Sequence, residues 1–206
     1  MMGKTIEIPA SIRRKIADGK KIHIELGCGQ RKRHPEAIGI DQLAYAGVDI
    51  VGDILAVIKE LPDRSTENVY SYHCFEHLND IGSVIEQLGR IMVPSAKLLV
   101  VVPHFSNPYY YSDPTHRQPF GIYTFSYFAE DGIFSRKVPT YLRSLNFKLC
   151  EVSLKFKSPK PFYVRWGFKK ILERVVNMNS YVQEFYEENL CWLLPCYEIR
   201  YILERH

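Results

Sequence analysis

The sequence contains no long hydrophobic run, and its five cysteines show no paired C-x-x-C spacing. The longest aliphatic stretch covers residues 98–102, which is far too short to cross a bilayer. Residues 1–21 lack the apolar core of a signal peptide. An odd number of scattered cysteines speaks against a disulfide framework or a structural zinc site, and it favours a reducing compartment. These absences predict a cytoplasmic protein.

An excess of charge of one sign is also missing. The chain of 206 residues has a formal net charge of +4, which falls short of the concentrated basic stripe of a dedicated nucleic-acid binder. Its apolar fraction of 46% and charged fraction of 24% are ordinary for a globular protein. We therefore predict one domain over residues 1–206 and do not favour a nucleic-acid partner.

The first half of the chain alternates between strand and helix patterns. A leading helix is predicted within residues 1–20, because apolar residues recur at helical spacing before Gly19. Asn79 or Asp80 supplies the N-cap of a second helix, whose apolar positions are Ile81, Val84, Ile85, Leu88, Ile91 and Met92. Strands are predicted over 22–26, 37–40, 48–51, 68–72 and 97–103. This rhythm indicates an α/β fold with a parallel sheet covered on both faces.

The second half of the chain is less regular. Residues 104–121 are rich in Pro, Tyr, Ser and Asp and are predicted to form a long loop. A helix is predicted from about Thr124, with a break near Gly132 and a resumption over 139–145. The remaining predicted elements are a strand, a helical insert and a closing strand, over 147–156, 159–196 and 198–203.

A glycine turn follows the first predicted strand, in the E-x-G-x-G segment of residues 25–29. A strand followed by such a turn and a helix exposes backbone N–H groups and lets a ligand approach the main chain. A dinucleotide fingerprint would require another glycine where Lys32 stands. Asp41 and Asp53 end the next two strands, where carboxylates suit the hydroxyls of a ribose and an adenine amino group. The pattern therefore favours a ligand without phosphates.

Six short motifs follow one another along residues 22–128, which is about half of the chain. They are ELGCG (25–29), GID (39–41), GDI (52–54), LPD (61–63), HCFEHL (73–78) and LGRIMVPSAKLLVVVP (88–103). In this order they resemble the class I S-adenosylmethionine methyltransferases, in particular the bacterial methyltransferase type 11 group. The resemblance implies a Rossmann-like methyltransferase fold. That fold has a mostly parallel seven-stranded sheet, helices on both faces and, here, a helical insert before the last strand.

The resemblance also implies S-adenosylmethionine as cofactor and S-adenosylhomocysteine as product. Gly27 and Gly29 would face the methionine moiety, and Glu25 would support the turn and the amino group. Asp41 would hold the ribose, while Asp53 and the backbone of the next residue would contact the adenine. The complete set of cofactor-binding residues implied in this way is Glu25, Gly27, Cys28, Gly29, Gln30, Asp41, Gln42, Asp53, Ile54 and His73.

One segment admits a different interpretation. Residues 73–77 match H-x-x-E-H, the zinc signature of one class of metallopeptidases. Zinc-binding histidines of that type lie on one face of a helix, whereas His73 follows a predicted strand. We favour a structural role in which Glu76 and His77 cap the next helix, and we predict no metal site. A zinc peptidase remains the least favoured alternative.

Candidate catalytic residues lie in the predicted substrate loop, residues 104–122. Ligands of open α/β sheets bind beyond the carboxyl ends of the strands, where this loop emerges. A general base helps when the methyl acceptor is a hydroxyl, and histidine titrates near neutrality. His104 is predicted to be that base, with His116 as a second candidate that Asp113 would orient. A capped turn over residues 113–116 explains His116 equally well.

The helical insert begins with interspersed basic and aromatic residues. We favour a lid that packs its apolar face on the domain. The alternatives are that residues 159–176 contact an anionic membrane peripherally or that this basic segment holds an acidic substrate. The predicted acceptor is a small molecule, with O-methylation of a sugar, glycan or lipid-linked intermediate as the specific hypothesis. The alternative outside enzyme function is a non-catalytic methyltransferase-like domain that binds cofactor or a partner.

Overall fold

The computed structural model describes residues 6–140, 146–158 and 161–206. Eight strands in these ranges form one sheet. They are β1 (Ile22–Leu26), β2 (Ile38–Asp41), β3 (Ile50–Val51), β4 (Thr66–Tyr72), β5 (Met92–Pro103), β6 (Glu130–Asp131), β7 (Phe147–Lys155) and β8 (Glu198–Arg205). The α-helices are α1 (Ala10–Ala17), α2 (Ile54–Glu60), α3 (Ile81–Ile91), α4 (Tyr163–Val176) and α5 (Ser180–Asn189).

The strand order is β3-β2-β1-β4-β5-β8-β7-β6. The first five strands in this order pair in parallel, and β8 lies antiparallel between β5 and β7. The chain runs outward from β1 to β3 and then returns to β4, so the order reverses between β1 and β4. Ligands of open α/β sheets bind at such a reversal. The predicted mostly parallel sheet is confirmed, with the two-residue β6 as one strand more than the expected seven.

The core lies on both faces of this sheet. Leu98, Val100 and Val102 of β5 are fully buried, and each buried aliphatic side chain contributes about 1.5–3 kcal/mol. Helix α3 buries the predicted apolar face and begins where predicted. Asp80 caps it, because its carboxylate accepts a hydrogen bond of 2.9 Å from the backbone N–H of Ser83.

Three predicted helical features differ from the structure. No helix follows the glycine turn, and residues 30–37 form an irregular loop. The helix predicted from Thr124 is a single 3-10 turn, Thr124–Tyr127, after which the chain enters β6. Residues 139–140 are not helical, and residues 141–145 of the predicted resumption lie outside the described residues. Conversely, α2 was not predicted, although Asp53 and the spacing of Ile54, Val57 and Ile58 are a helix signal.

The helical insert is confirmed as α4 and α5, apart from residues 159–160, which are outside the described part. In the described ranges, no helix combines the length and apolar character needed to span a membrane.

Candidate cofactor and acceptor site

The carboxyl ends of β1 and β2 are tied together at the glycine turn. The Gly27 N–H donates to the Ile40 carbonyl at 2.9 Å. Asp41, at the end of β2, accepts 2.9 Å hydrogen bonds from the N–H groups of Gly29 and Leu43, one on each carboxylate oxygen. The Asp41 carboxylate therefore holds the glycine turn in place.

The two glycines of the turn face different surroundings. Both have positive φ, +63° at Gly27 and +59° at Gly29. A Cβ on Gly27 would lie 2.6 Å from Cβ of Cys74, whereas a Cβ on Gly29 would meet nothing within 4 Å. Gly27 is thus required by the close approach of the segment after β4, and Gly29 borders open space in which a ligand fits.

Glu25 is buried and stabilises the loop that replaces the expected helix. Its carboxylate accepts hydrogen bonds from the N–H groups of Arg33, at 3.0 Å, and His34, at 2.8 Å. These side-chain contacts satisfy backbone donors that a helix would have paired with carbonyls, and Pro35 follows at once. A role of Glu25 toward the cofactor's amino group stays a prediction.

The other predicted cofactor residues surround this turn with different exposure. Gln30, Gln42 and Asp53 are exposed, and Ile54 is buried. Asp53 caps α2 by accepting from the Ala56 N–H at 3.0 Å, so it has a structural role as well. Cys28 is buried. Burial, with the nearby carboxylates of Asp41 and Glu25, raises the pKa of its thiol to about 11, so this cysteine is not a thiolate nucleophile at neutral pH.

His73 lies directly after β4 with a left-handed backbone, φ +53°. Its Nδ1 is 3.4 Å from Oε1 of Glu76, and its Nε2 is 3.4 Å from Oε2 of Glu198. Hydrogen bonding to Glu198 and then to Glu76 raises its pKa to about 9 despite partial burial. The imidazole is therefore cationic at neutral pH, in a sparsely populated backbone conformation typical of functional sites.

A cavity of about 580 Å³ on the domain is lined by acidic side chains of α5, but it lies away from the glycine turn. A second cavity, of about 590 Å³, has the opposite charge. Its described lining contains three cationic side chains, Lys157, Arg165 and Lys169, and no carboxylate. Tyr109 and Tyr197 contribute aromatic surfaces. We call it the basic pocket.

Glu198 connects the basic pocket to the end of β4. Its Oε1 lies 2.7 Å from Lys157 Nζ, and its Oε2 contacts His73. Burial alone would raise the pKa of this carboxyl, but the hydrogen bonds from His73 and Lys157 lower it to about 2. The contact between Glu198 and His73 was not predicted from the sequence, in which Glu198 is only the first residue of a predicted strand.

His104 is held inside the protein by both ring nitrogens. It is fully buried, and its Nδ1 accepts from the Ser106 N–H at 3.1 Å, so its Nε2 carries the proton and donates to Glu187 at 3.0 Å. These contacts anchor the start of the substrate loop to α5. A role of His104 as the base stays a prediction.

Asp113 and His116 form the capped turn that the sequence allowed. Asp113 Oδ1 accepts from the Thr115 N–H at 2.8 Å and from its hydroxyl at 2.6 Å, which lowers the pKa of Asp113. His116 Nδ1 lies 2.8 Å from the Tyr110 carbonyl, and its Nε2 is 3.7 Å from Asp113 Oδ2. The two residues are close, as predicted, while catalytic roles for them stay untested.

The H-x-x-E-H segment does not form the predicted structures. Residues Phe75–His77 are one 3-10 turn, so His73 and His77 do not lie on one face of a helix, as the peptidase hypothesis requires. Glu76 and His77 do not cap α3 either, since Asp80 does. The structure instead brings Glu76, His77 and His116 together, with one ligand atom from each within 4.8 Å of the others.

Helix α4 leaves much of its apolar surface exposed. Val176 is buried and Leu172 packs against the core, while Val164 is 91% and Ile171 63% exposed. Basic residues are interspersed with these apolar side chains on the same helix. The lid and the contact with an anionic membrane both stay predictions.

Comparison with known proteins identifies the fold. No protein-family model matches the sequence, and no curated protein matches it. A SAM-dependent methyltransferase from Archaeoglobus fulgidus superposes with a TM-score of 0.56 at 18% identity, covering 95% of this chain and 92% of that chain. The fold is therefore that of the class I S-adenosylmethionine methyltransferases, as the six motifs implied.

A second group of matches carries bound ligands. Phosphoethanolamine N-methyltransferase 2 of Haemonchus contortus, in complex with S-adenosyl-L-methionine, matches with a TM-score of 0.54 at 14% identity over 90% of this chain. The same scores apply to its complex with phosphomonomethylethanolamine and S-adenosylhomocysteine. This chain covers 48% of that protein, about half of its length. Identities this low establish the fold alone.

Proposed function

We propose that this chain binds S-adenosylmethionine at the carboxyl ends of β1 to β4 and transfers its methyl group to a small acceptor that carries an anionic group. The observation that supports cofactor binding most directly is the pair formed by Asp41 and Gly29. The carboxylate holds the turn, and the glycine leaves open space beside it.

The residues around the turn fit this cofactor better than a dinucleotide. A pyrophosphate favours the N-terminus of a helix, and no helix follows the turn in this chain. Carboxylates at the ends of β2 and β3, from Asp41 and Asp53, suit hydroxyl and amino donors instead. When bound, S-adenosylmethionine supplies an electrophilic methyl group on a sulfonium sulfur.

The basic pocket favours an anionic acceptor. Lys157, Arg165 and Lys169 line it, and Tyr109 and Tyr197 provide aromatic surfaces, with Lys157 Nζ 4.8 Å from the centre of the Tyr197 ring. Of the three cations in the pocket, Glu198 is paired with Lys157. The charges of Arg165 and Lys169 therefore remain for a phosphate or carboxylate. A sugar, glycan or lipid-linked intermediate carrying such a group satisfies this requirement.

The chain's contribution to the reaction is binding and orientation. Methyl transfer is an in-line displacement, so alignment of acceptor and methyl group supplies much of the rate enhancement. His73 holds a proton between two carboxylates and is cationic at neutral pH. It stabilises negative charge near the end of β4 and does not accept the acceptor's proton.

The first experiment is calorimetric titration of the protein with S-adenosylhomocysteine. We expect micromolar binding by the natural chain, and binding reduced at least about 100-fold in Asp41→Ala, which removes a charge-assisted acceptor. Asp63→Ala is the control, because Asp63 is an exposed carboxylate paired with Arg90 far from the turn. Circular dichroism and thermal melting establish that each variant is folded. Absence of binding by folded natural protein would overturn the proposal.

The acceptor class has a separate test. Methyl transfer from labelled S-adenosylmethionine is measured with small-molecule extracts separated on an anion-exchange resin. We expect the acceptor in the retained fraction, and a raised KM with little change in kcat for Arg165→Gln, relative to Lys148→Gln on the exposed side of β7. An acceptor in the unretained fraction refutes the anionic class and leaves cofactor binding standing. Cofactor binding with no product from any fraction favours the non-catalytic alternative.

A further inference from the structure

We propose that Glu76, His77 and His116 bind one divalent transition-metal ion, which fastens the loop after β5 to the turn after β4. One ring nitrogen of each histidine and one carboxylate oxygen of Glu76 lie within 4.8 Å of one another. The residues come from segments that are about forty positions apart in sequence and meet at the carboxyl edge of the sheet.

His116 presents the tautomer that a metal requires. Its Nδ1 lies 2.8 Å from the Tyr110 carbonyl, an acceptor that has no proton to give, so Nδ1 carries the hydrogen and Nε2 retains its lone pair. The ring is also stacked on Tyr110, with centroids 4.9 Å apart, which fixes its plane. Metal-binding histidines characteristically donate their second ring nitrogen to a backbone carbonyl in this way.

His77 is oriented by a chain of hydrogen bonds that ends on a carboxylate. The Thr115 hydroxyl donates to Asp113 Oδ1 at 2.6 Å. It therefore accepts from His77 Nδ1 at 3.0 Å, and the Thr115 carbonyl lies 3.3 Å from the same nitrogen. The Nε2 of His77 is left with a free lone pair, as in His116. Asp113 thus acts as a positioning residue for the site.

Glu76 supplies the third ligand and the second, independent reason to expect an ion. Its side chain is 1% exposed, and its carboxylate is reached by His73 at long range only, with Nδ1 3.4 Å from Oε1. In the described part of the chain, no well-formed hydrogen bond reaches either oxygen. A buried carboxylate with so weak a partner is costly, and a metal ion would compensate for that cost.

The donor set indicates which ions fit. Two imidazole nitrogens and one carboxylate oxygen suit Zn²⁺, Co²⁺ or Fe²⁺ and are a poor set for Mg²⁺ or Ca²⁺, which prefer oxygen ligands. Tetrahedral zinc with ligands at about 2.0 Å separates them by about 3.3 Å, so the three groups move closer by an ångström or so on binding. The Asp113 carboxylate lies 3.7 Å from His116 Nε2 and adds negative charge beside the three ligands.

This inference does not depend on the proposed methyltransferase activity. The sequence alone does not indicate this site, because residues 73–77 and 113–116 are far apart along the chain. In the structure the ring centroids of His77 and His116 are 4.9 Å apart. The histidine next to His77 is therefore His116, from the other segment, and not His73 of the peptidase signature.

The test is metal titration of the full chain after dialysis against a chelator. Zn²⁺ binding is followed by calorimetry, and Co²⁺ binding by its visible d–d absorption, which reports tetrahedral coordination. We expect one ion per chain for the natural protein and loss of that stoichiometric binding in His77→Gln and in His116→Gln. Thr115→Val, which removes the hydroxyl that orients His77, should weaken binding by about 10- to 100-fold.

His23→Gln is the matched control, because it removes an imidazole at the opposite, amino-terminal end of β1. It should bind the ion as the natural protein does. Circular dichroism checks folding, and His77→Gln gives an independent result if His116→Gln proves unstable. The proposal is overturned if His77→Gln still binds the ion. It is also overturned if the natural protein binds the ion no more tightly than an isolated surface histidine does.

Discussion

Nε2 of His73 lies 3.4 Å from Oε2 of Glu198, a contact that joins the residue directly after β4 to the first residue of β8. These strands are not neighbours, since β5 lies between them. The contact therefore closes the carboxyl edge of the sheet over β5. Because Glu198 also contacts Lys157, the same carboxylate links the end of β4 to the basic pocket.

This relationship predicts how stability depends on acidity. The pKa of Glu198 is lowered to about 2, so its contribution is complete above the ordinary carboxyl pKa and is lost as the pH falls toward 2. Glu198→Gln should reduce the free energy of unfolding by on the order of 2 kcal/mol near pH 6, and the difference should shrink below about pH 5. Urea denaturation at several pH values measures it.

The control for that experiment is Glu204→Gln on the same strand, since Glu204 makes no ion pair in the described part of the chain. It should change stability by less than about 0.5 kcal/mol at any of these pH values. A pH-independent difference between natural protein and Glu198→Gln would show that the loss comes from packing and would contradict the charge argument.

The glycine turn provides a matched pair of variants. Gly27→Ala combines positive φ with a Cβ 2.6 Å from Cβ of Cys74, and we expect it to cost about 3 kcal/mol in denaturant unfolding. Gly29→Ala has the same backbone strain without a collision and should cost about 1 kcal/mol. Its methyl group enters the space proposed for the cofactor, so Gly29→Ala should bind S-adenosylhomocysteine more weakly while remaining folded.

Equal losses of stability in the two glycine variants would contradict the close packing of Gly27 against Cys74. Unchanged S-adenosylhomocysteine affinity in Gly29→Ala would mean that the open space beside this glycine is not the cofactor's.

The sheet was predictable because its signals are local. The apolar run of β5 and the helical spacing of α3 depend on a few adjacent residues, and both elements occur close to the predicted positions. The missing helix after the turn was not predictable, because the carboxylate of Glu25 satisfies N–H groups eight and nine residues away. The sequence gives the residue types of that contact without its geometry.

The candidate site was predictable in the same measure. Gly29 lies in the turn after β1, and Asp41 ends β2, the neighbouring strand. Their proximity therefore follows from the parallel pairing of the two strands. Glu198 reaches the site from the distant end of the chain, where no motif marks it, while Lys157 belongs to the basic residues at the start of the helical insert. The burial of His104 was not predictable, because its position after β5 is indistinguishable, in sequence, from an exposed loop start.

Helix α4 permits a test of the membrane alternative. It exposes Val164, Trp166 and Ile171 among basic residues, and an amphipathic basic helix binds anionic lipid through both features. If this alternative holds, the protein should co-sediment with phosphatidylglycerol vesicles and not with phosphatidylcholine vesicles, and Ile171→Glu should reduce binding. Binding that is absent from both vesicle types at low salt would exclude it.

The buried contacts of His104 lead to a prediction that separates structure from chemistry. Its two ring nitrogens bridge Ser106 and Glu187, and glutamine cannot replace both contacts. We expect His104→Gln to lower the free energy of unfolding by about 1–3 kcal/mol, because buried polar groups lose their partners. If His104 has this structural role alone, the pH dependence of methyl transfer below the melting range of the variant should match that of the natural protein. A stable variant that loses an ionisation near neutral pH, together with at least 100-fold in kcat, would instead establish His104 as the base.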